Sequence, residues 1–298
     1  MAPMDGITSS PFRRVVKKCG ADVVFSEMIA AEAVCYKSKK TLAMMNFHEE
    51  ERPIIIQIFG NDAEKMAAAA EYIENEVQPD GIDINIGCPA KKVVAGGRGS
   101  ALLLEPERAI KIVRAVRDFT KLPLSVKTRT GWDKFDIQPL AKKFERVGAD
   151  ALTIHGRTKK QGFKGEPDLD AIKEVKKAIK IPVIGNGGIY SVKDAKKMIK
   201  ETGCDGVMAA RGTLGNPWIF RSLKLNKEYK PNFEEVRDLA LSHLEMSIEE
   251  FGPKKGILDM RKHYGWYFKG FDGASELRKK LVLSETVVEV KEILANMG

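Results

Sequence analysis

The chain is short of cysteine, histidine and aromatic residues and has no long apolar run. Its 298 residues hold four cysteines (Cys19, Cys35, Cys88 and Cys204) and four histidines. No two cysteines form a C-x-x-C pair, so neither a metal site nor a disulfide framework is expected. No segment approaches the ~20 apolar residues of a membrane span. No basic stretch followed by an apolar one opens the chain, so the expected location is the reducing cytoplasm, with free thiols. No G-x-G-x-x-G follows the first strand-like run, which counts against a dinucleotide-binding Rossmann fold.

What is present is a soluble composition, 43% hydrophobic and 31% charged, with a net charge of +9. The charge is uneven. From Pro231 onward ten basic residues face twelve acidic ones, a net of −2, so the remainder carries +11. Within that tail, Lys254 to Lys280 holds eight basic and three acidic residues, one basic band on an otherwise balanced surface. An excess of positive charge favours polyanionic partners.

One unit repeats up to about residue 222: a β-branched run, a glycine-containing turn, then a helix. The runs are "ADVVFSE", "RPIIIQIFG", "GIDINIGCP", "LPLSVKTRTG", "DALTIHGRT", "IPVIGNGG" and "DGVMAARG". They are rich in Val and Ile with little polar alternation, as expected of parallel strands covered on both faces. Helical patterns lie between them, such as "AEKMAAAAEYIENEV", "PERAIKIVRAVRDF" and "SVKDAKKMIKETG". Counting "MAPMDG" as a first strand cut to a few residues gives eight units, hence a (βα)8 TIM barrel. After Asn226 the alternation stops. "FEEVRDLALSHLEMSIEEFG" places Phe233, Val236, Ala240, Leu244, Ile248 and Phe251 on one helical stripe. The expected organisation is a barrel over residues 1–226 and a small helical domain over 231–298.

Barrel chemistry collects at the C-terminal ends of the strands. Those ends carry Gln57, Asn85 with Cys88, Lys127 with Arg129, His155, Asn186 and Arg211. The glycine-rich turns "NGGI" and "ARGTLG" close the last two units, where backbone N–H groups can hold a phosphate. Cys88 is open to two readings, a buried filler or an acid aimed at a substrate. Lys127 fits a structural ion pair, an anionic ligand or a Schiff base.

"APMDGIT", "QIFG", "DINIGCPAKKV…GSALL", "VKTRTGW", "TIHGRT", "IGNGGI", "ARG…GNPWIF" and "RKHYGWYFKGFDGASELRKKL" together resemble the tRNA-dihydrouridine synthases, most closely the bacterial DusB-like branch. The resemblance runs in order along almost the whole chain. It implies an FMN-binding barrel with a helical tRNA-binding domain. It also implies NADPH-dependent reduction of the uracil 5,6 double bond in tRNA. Members of that family usually carry a longer segment before the A-P-M motif.

Carried over by motif, Pro3, Met4 and Asp5 touch the flavin ring and Gln57 meets its pyrimidine edge. Lys127 sits beside the side of the ring that is negative when reduced, and His155 contacts the flavin. Asn186, Gly187, Gly188, Ala210 and Arg211 hold its phosphate. Cys88 becomes the proton donor. With an ordinary pKa of ~8.5 a thiol is mostly protonated at neutral pH and can act as an acid. Asn85 and Arg129 face the substrate. Lys91, Lys92 and Arg98 on the loop after Cys88, and Arg261, Lys262, Lys269 and Arg278 in the tail, contact tRNA. The tail aromatics Tyr264, Trp266, Tyr267 and Phe268 either stack on bases or form the helical core. Cys19, Cys35 and Cys204 are expected to be structural, no obligate protein partner is evident, and a monomer is expected. The rival readings are a flavin barrel acting on a free pyrimidine, similar to dihydroorotate dehydrogenases, and a non-catalytic RNA-binding protein on a barrel frame.

Overall fold

In the computed structural model, which describes residues 1–296, seven parallel strands pair in chain order. They are β1 (Val24–Ala30), β2 (Ile54–Phe59), β3 (Gly81–Ile86), β4 (Leu124–Arg129), β5 (Ala151–His155), β6 (Val183–Asn186) and β7 (Gly206–Met208). The stub expected as the first strand is too short to be one. Instead the Ala2 N–H donates to the Ala209 carbonyl (2.8 Å) and the Met1 nitrogen to that of Val23 (2.6 Å). Two bonds thus bridge the β7 side and the start of β1, closing the TIM barrel. Pro3 has no N–H with which to extend the ladder. The chain then turns, with the Ile7 and Thr8 N–H groups donating to the Met4 carbonyl.

The helices of the barrel cover the outside of the strands. They are α1 (Ser10–Lys18), α2 (Ala31–Cys35), α3 (Lys39–Ala43), α4 (Ala63–Tyr72), α5 (Lys91–Ala95), α6 (Pro106–Phe119), α7 (Ile137–Arg146), α8 (Leu169–Ala178), α9 (Val192–Thr202) and α10 (Ile219–Leu225). Their ends follow from local chemistry. Asp62 caps α4 by accepting from the Glu64 and Lys65 N–H groups. Ser191 caps α9, and Gly203 ends it in the left-handed region. The segment after Cys88, read as a loop, contains the short helix α5.

The strands alternate more than their composition suggests. Ile54, Ile56 and Ile58 on β2 and Ile82, Ile84 and Ile86 on β3 are fully buried. Full burial of each contributes roughly 1.5–3 kcal/mol relative to exposure. The residues between them point the other way, because side chains alternate with period two. Strand register sorts this second set into tiers. Gln57, Asp83 and Ser125 are aligned; above them lie Asn85, Lys127 and Thr153; above those, Arg129, His155 and Asn186. The upper part of the barrel interior is therefore polar.

The tail forms α11 (Phe233–Phe251), α12 (Pro253–Tyr267), α13 (Ala274–Leu283) and α14 (Val287–Ala295). Asn232 and Glu235 form a capping box at the start of α11. These helices share a second apolar cluster that includes Val236, Leu244, Met260 and Leu281, joined by Cys19 and Trp218 of the barrel. Gly215 lies at a close approach between the two parts. A Cβ there would lie 2.2 Å from the Trp266 carbonyl oxygen. The tail aromatics Tyr264, Tyr267 and Phe268 are at most 2% exposed, so they build this core and are not stacking platforms.

Candidate active site at the barrel mouth

A cavity of about 330 Å³ opens at the C-terminal ends of the strands. This is within the usual size range of a small-molecule site. Of the residues expected there, Pro3, Met4, Asp5, Asn85, Cys88, Lys127, Arg129, His155, Asn186, Gly187, Gly188, Ala210 and Arg211 all line it. Sequence reasoning missed Arg157, Phe163, Tyr190 and Gly212, which line it too. Arg157 lies two residues beyond His155, so continuing the strand periodicity would have found it. Phe163 and Tyr190 sit on turns whose path a sequence does not reveal.

Gln57 does not line the cavity. It is fully buried in the tier below, with its amide donating to Asp83 (2.7 Å) and accepting from Asn85 (2.9 Å). It lies mid-strand in β2, so its side chain ends inside the wall.

Cys88 follows β3 on a tightly held turn. Its N–H and that of Gly87 donate to Asn85 Oδ1 (2.9 and 3.0 Å), and its carbonyl accepts from Ser100 N and Oγ (3.1 and 2.9 Å). Gly99 is needed beneath it: a Cβ there would lie 2.9 Å from the Cys88 carbonyl oxygen. Burial pushes the thiol pKa upward, against the Ala90 N–H, which pulls it down. The thiol therefore stays protonated at neutral pH.

The wall is strongly positive. Lys127 Nζ lies 3.0 Å from Asn186 Oδ1. Burial draws its pKa down, while Asp83 in the tier beneath holds it up. Arg129 donates to the carbonyls of Gly87, Thr158 and Gly162. Arg157 donates to the Gly165 and Lys164 carbonyls and lies 3.3 Å from His155 Nε2. Burial, reinforced by Lys127, Arg129, Arg157 and Arg211, drives the His155 pKa to about 2, so its ring is neutral. Phe163, 55% exposed, lies across two of these cations, with guanidinium carbons 5.5 Å (Arg129) and 4.9 Å (Arg211) from its ring centre. Arg211 is exposed.

The two glycine turns face each other. Gly187 and Gly188 have φ of 115° and 70°. A Cβ on Gly187 would lie 2.9 Å from the His155 ring, and one on Gly212 would lie 2.1 Å from the Ile189 carbonyl oxygen. Among the described residues, the N–H groups of Gly187, Gly188, Arg211 and Gly212 have no hydrogen-bond acceptor. Unpaired donors beside a cationic wall suit a phosphate.

The remaining expected residues lie outside the cavity. Lys91 and Lys92 are exposed on α5, and Arg98 is 3.6 Å from Glu32. Lys269 is exposed, whereas Arg261 donates to the Ser284 carbonyl and Arg278 to that of Phe268. Lys262 pairs with Asp259. Of the thiols read as structural, Cys19 and Cys204 are buried and Cys35 is exposed.

The dihydrouridine synthase (Dus) family model matches residues 1–297. The chain is similar to a tRNA-dihydrouridine synthase B of Vibrio vulnificus, 42% identical over 94% of this chain and 88% of that one. It is also similar to a probable tRNA-dihydrouridine synthase of Rickettsia conorii, 38% identical over 99% and 91%. Among solved structures, morphinone reductase in complex with tetrahydroNAD matches with a TM-score of 0.52 at 12% identity, over 77% of this chain and 87% of that one. A 2-naphthoyl-CoA reductase complex matches with a TM-score of 0.58 at 15% identity, over 76% and 49%. At such identities these two speak for the fold alone.

Proposed function

The chain belongs to the dihydrouridine synthase family, and on that premise we propose that it reduces the 5,6 double bond of uridines in tRNA. FMN is the cofactor we assign to the cavity and NADPH the reductant. The fit rests on this chain's own atoms. Four unpaired N–H groups at Gly187, Gly188, Arg211 and Gly212 suit the phosphate. Glycines there leave a cradle that a Cβ would fill. Lys127 and Arg129 line the wall where a planar anion would lie. When bound, such a flavin supplies a hydride equivalent.

The protein supplies the proton. Cys88 Sγ–H gives it to carbon 5 of the uracil, the S–H bond breaking as the C–H bond forms, and the thiolate takes a proton back from water. A raised pKa suits this role, since the donor must be protonated. Lys127 and Arg129 stabilise negative charge gathering on the ring oxygens. Phe163 offers an exposed aromatic face at the mouth, where a base turned out of the RNA can stack. Lys91, Lys92 and Lys269 are exposed cations for the backbone phosphates. Arg261 and Arg278 lend structure to the tail while presenting charge. Residues 231–298 serve as the RNA-binding part, and the protein acts as a cytoplasmic monomer. No helix among the described residues is long and apolar enough to cross a membrane.

The observation that carries this reading is that Cys88, its thiol pKa raised by burial, lines one cavity together with Lys127, Arg129 and the two glycine turns. Its test is to incubate the purified protein with FMN, NADPH and an unmodified tRNA transcript, then digest the RNA for mass spectrometry. One or more uridines should gain two hydrogens. A transcript that stays unchanged while free orotate is reduced would instead favour the free-pyrimidine reading.

A further inference from the structure

Asp83 is a carboxylate buried inside the barrel, fully shielded from solvent. Among the described residues no basic nitrogen lies within 4.0 Å of it. Burying a charge this way is costly unless every lone pair is used. Ser125 Oγ donates to one oxygen (2.5 Å) and Gln57 Nε2 to the other (2.7 Å). Lys127, in the tier above, adds a distant attraction.

The consequence runs upward. Burial raises the Asp83 pKa to about 6, so at neutral pH the carboxyl is ionised and only accepts, which fixes the end of the Gln57 amide that faces it. The Nε2 end is committed to Asp83, and Oε1 must face Asn85. Asn85 Nδ2 donates to that oxygen (2.9 Å). This commits Asn85 Oδ1 to the opposite side, where it accepts from the N–H groups of Gly87 and Cys88 (3.0 and 2.9 Å). Turning either amide over would set donor against donor at one end; turning Gln57 would also set its oxygen against the carboxylate. Two otherwise reversible amides thus have one allowed orientation each, set from the barrel floor.

We propose that Asp83 is a positioning residue for Cys88, acting through Gln57 and Asn85 by holding both amides in the orientation that pins the thiol-bearing turn. This deepens the reading of Cys88 as the acid and rests on it. What the relay needs from position 83 is an acceptor facing Gln57, not a charge. An asparagine there can turn its oxygen to Gln57 and its NH₂ to Ser125 Oγ, whereas alanine offers no acceptor.

The test measures the rate of iodoacetamide alkylation of Cys88 in the flavin-loaded protein by peptide mass spectrometry, with the exposed Cys35 as internal reference. Asp83→Ala should change the Cys88/Cys35 rate ratio by at least about fivefold, as expected for groups in one hydrogen-bond network. Gln57→Leu, which cuts the relay and leaves Asp83 in place, should do the same and stands in if the alanine variant fails to fold. Asp83→Asn should restore the ratio to within about threefold of the wild type. In single turnover at saturating tRNA, Asp83→Ala and Gln57→Leu should be slow. Adding Asp83→Ala to Cys88→Ala should cost nothing more, because the two act through one thiol. An asparagine variant as impaired as the alanine variant, an unchanged alkylation ratio in both relay variants, or additive losses would each overturn the proposal. Were the wild type to form no dihydrouridine, the functional reading would fail, yet the alkylation ratios would still report on the relay.

Discussion

Replacing Gly212 with alanine probes the phosphate cradle at its narrowest point. The added Cβ would stand 2.1 Å from the Ile189 carbonyl oxygen and 3.1 Å from Tyr190 Cα. Both are backbone atoms, so no side chain can swing away. Relief requires the two turns to part by roughly 1 Å, to reach a normal van der Waals distance. Hydrogen bonds to a phosphate tolerate only about 2.7–3.2 Å between heavy atoms. A shift of that size takes the N–H groups of one turn out of range. Each bond to a charged acceptor contributes about 1.5–3 kcal/mol, so losing two costs about 3 kcal/mol at the low end. That is roughly a hundredfold in affinity. The assay is titration of flavin-free protein with FMN, read by quenching of flavin fluorescence. Gly203→Ala is the control. Gly203 has positive φ (69°), but no atom lies within 4 Å of its added Cβ, so alanine there strains a helix end and leaves the cradle alone. A Gly212→Ala protein that binds FMN as tightly as the wild type would refute the placement of the phosphate.

Three further outcomes follow from charge and burial. Uridine reduction measured against pH should be level through neutrality and fall as pH rises, first as Lys127, whose pKa burial draws down to about 8, loses its charge, and then through the raised Cys88 pKa, above the ordinary thiol value of ~8.5. No inflection should come from His155, whose pKa is driven to about 2. His243 is buried against Phe12, His263 and Tyr267, and its pKa is pushed down to about 3. The unfolded chain therefore takes up a proton below pH ~6.5 that the folded state refuses, so stability should drop as pH falls from there, by about 2 kcal/mol at pH 5. Replacing His243 with phenylalanine should make that limb shallower in thermal unfolding scans, the rest of it coming from His155 and His263, whose pKa values burial lowers likewise; an equally steep acid limb would show that His243 has no part in it. Removing Lys91, Lys92 and Lys269 together should weaken tRNA binding and lower the salt slope of log Kd by about two to three. An unchanged slope would place the RNA elsewhere.

The barrel was legible because glycine-containing turns follow several strands, and several helices start at a proline or at a capping Asp or Ser. Lys127, His155 and Asn186 were found by a positional rule, that functional residues gather where strands end. Asp83 and Ser125 escaped the same reading. In "DINI" and "LSVK" the isoleucine, leucine and valine side chains face the helices and dominate the composition, which hides the polar residues between them. Gln57 was placed too high, because β2 continues to Phe59 and register with Asp83 sets the glutamine one tier below the mouth. In the tail, Tyr264, Tyr267 and Phe268 recur at helical spacing, the mark of a buried stripe. From sequence both stacking and core roles stayed open, and burial decides for the core. Arg157 was within reach of the strand periodicity, but Phe163 depends on how the segment after β5 folds back over the opening. That path is set by carbonyls accepting from Arg129 and Arg157, and no sequence pattern encodes it.

The most direct test of the whole account is single-turnover reduction of an unmodified tRNA by the flavin-reduced wild type and its Cys88→Ala variant. The variant should retain its flavin and still oxidise NADPH, yet form dihydrouridine about a hundredfold or more slowly, the usual worth of a positioned acid. A variant that reduced tRNA at the wild-type rate would contradict the assignment of the proton to Cys88.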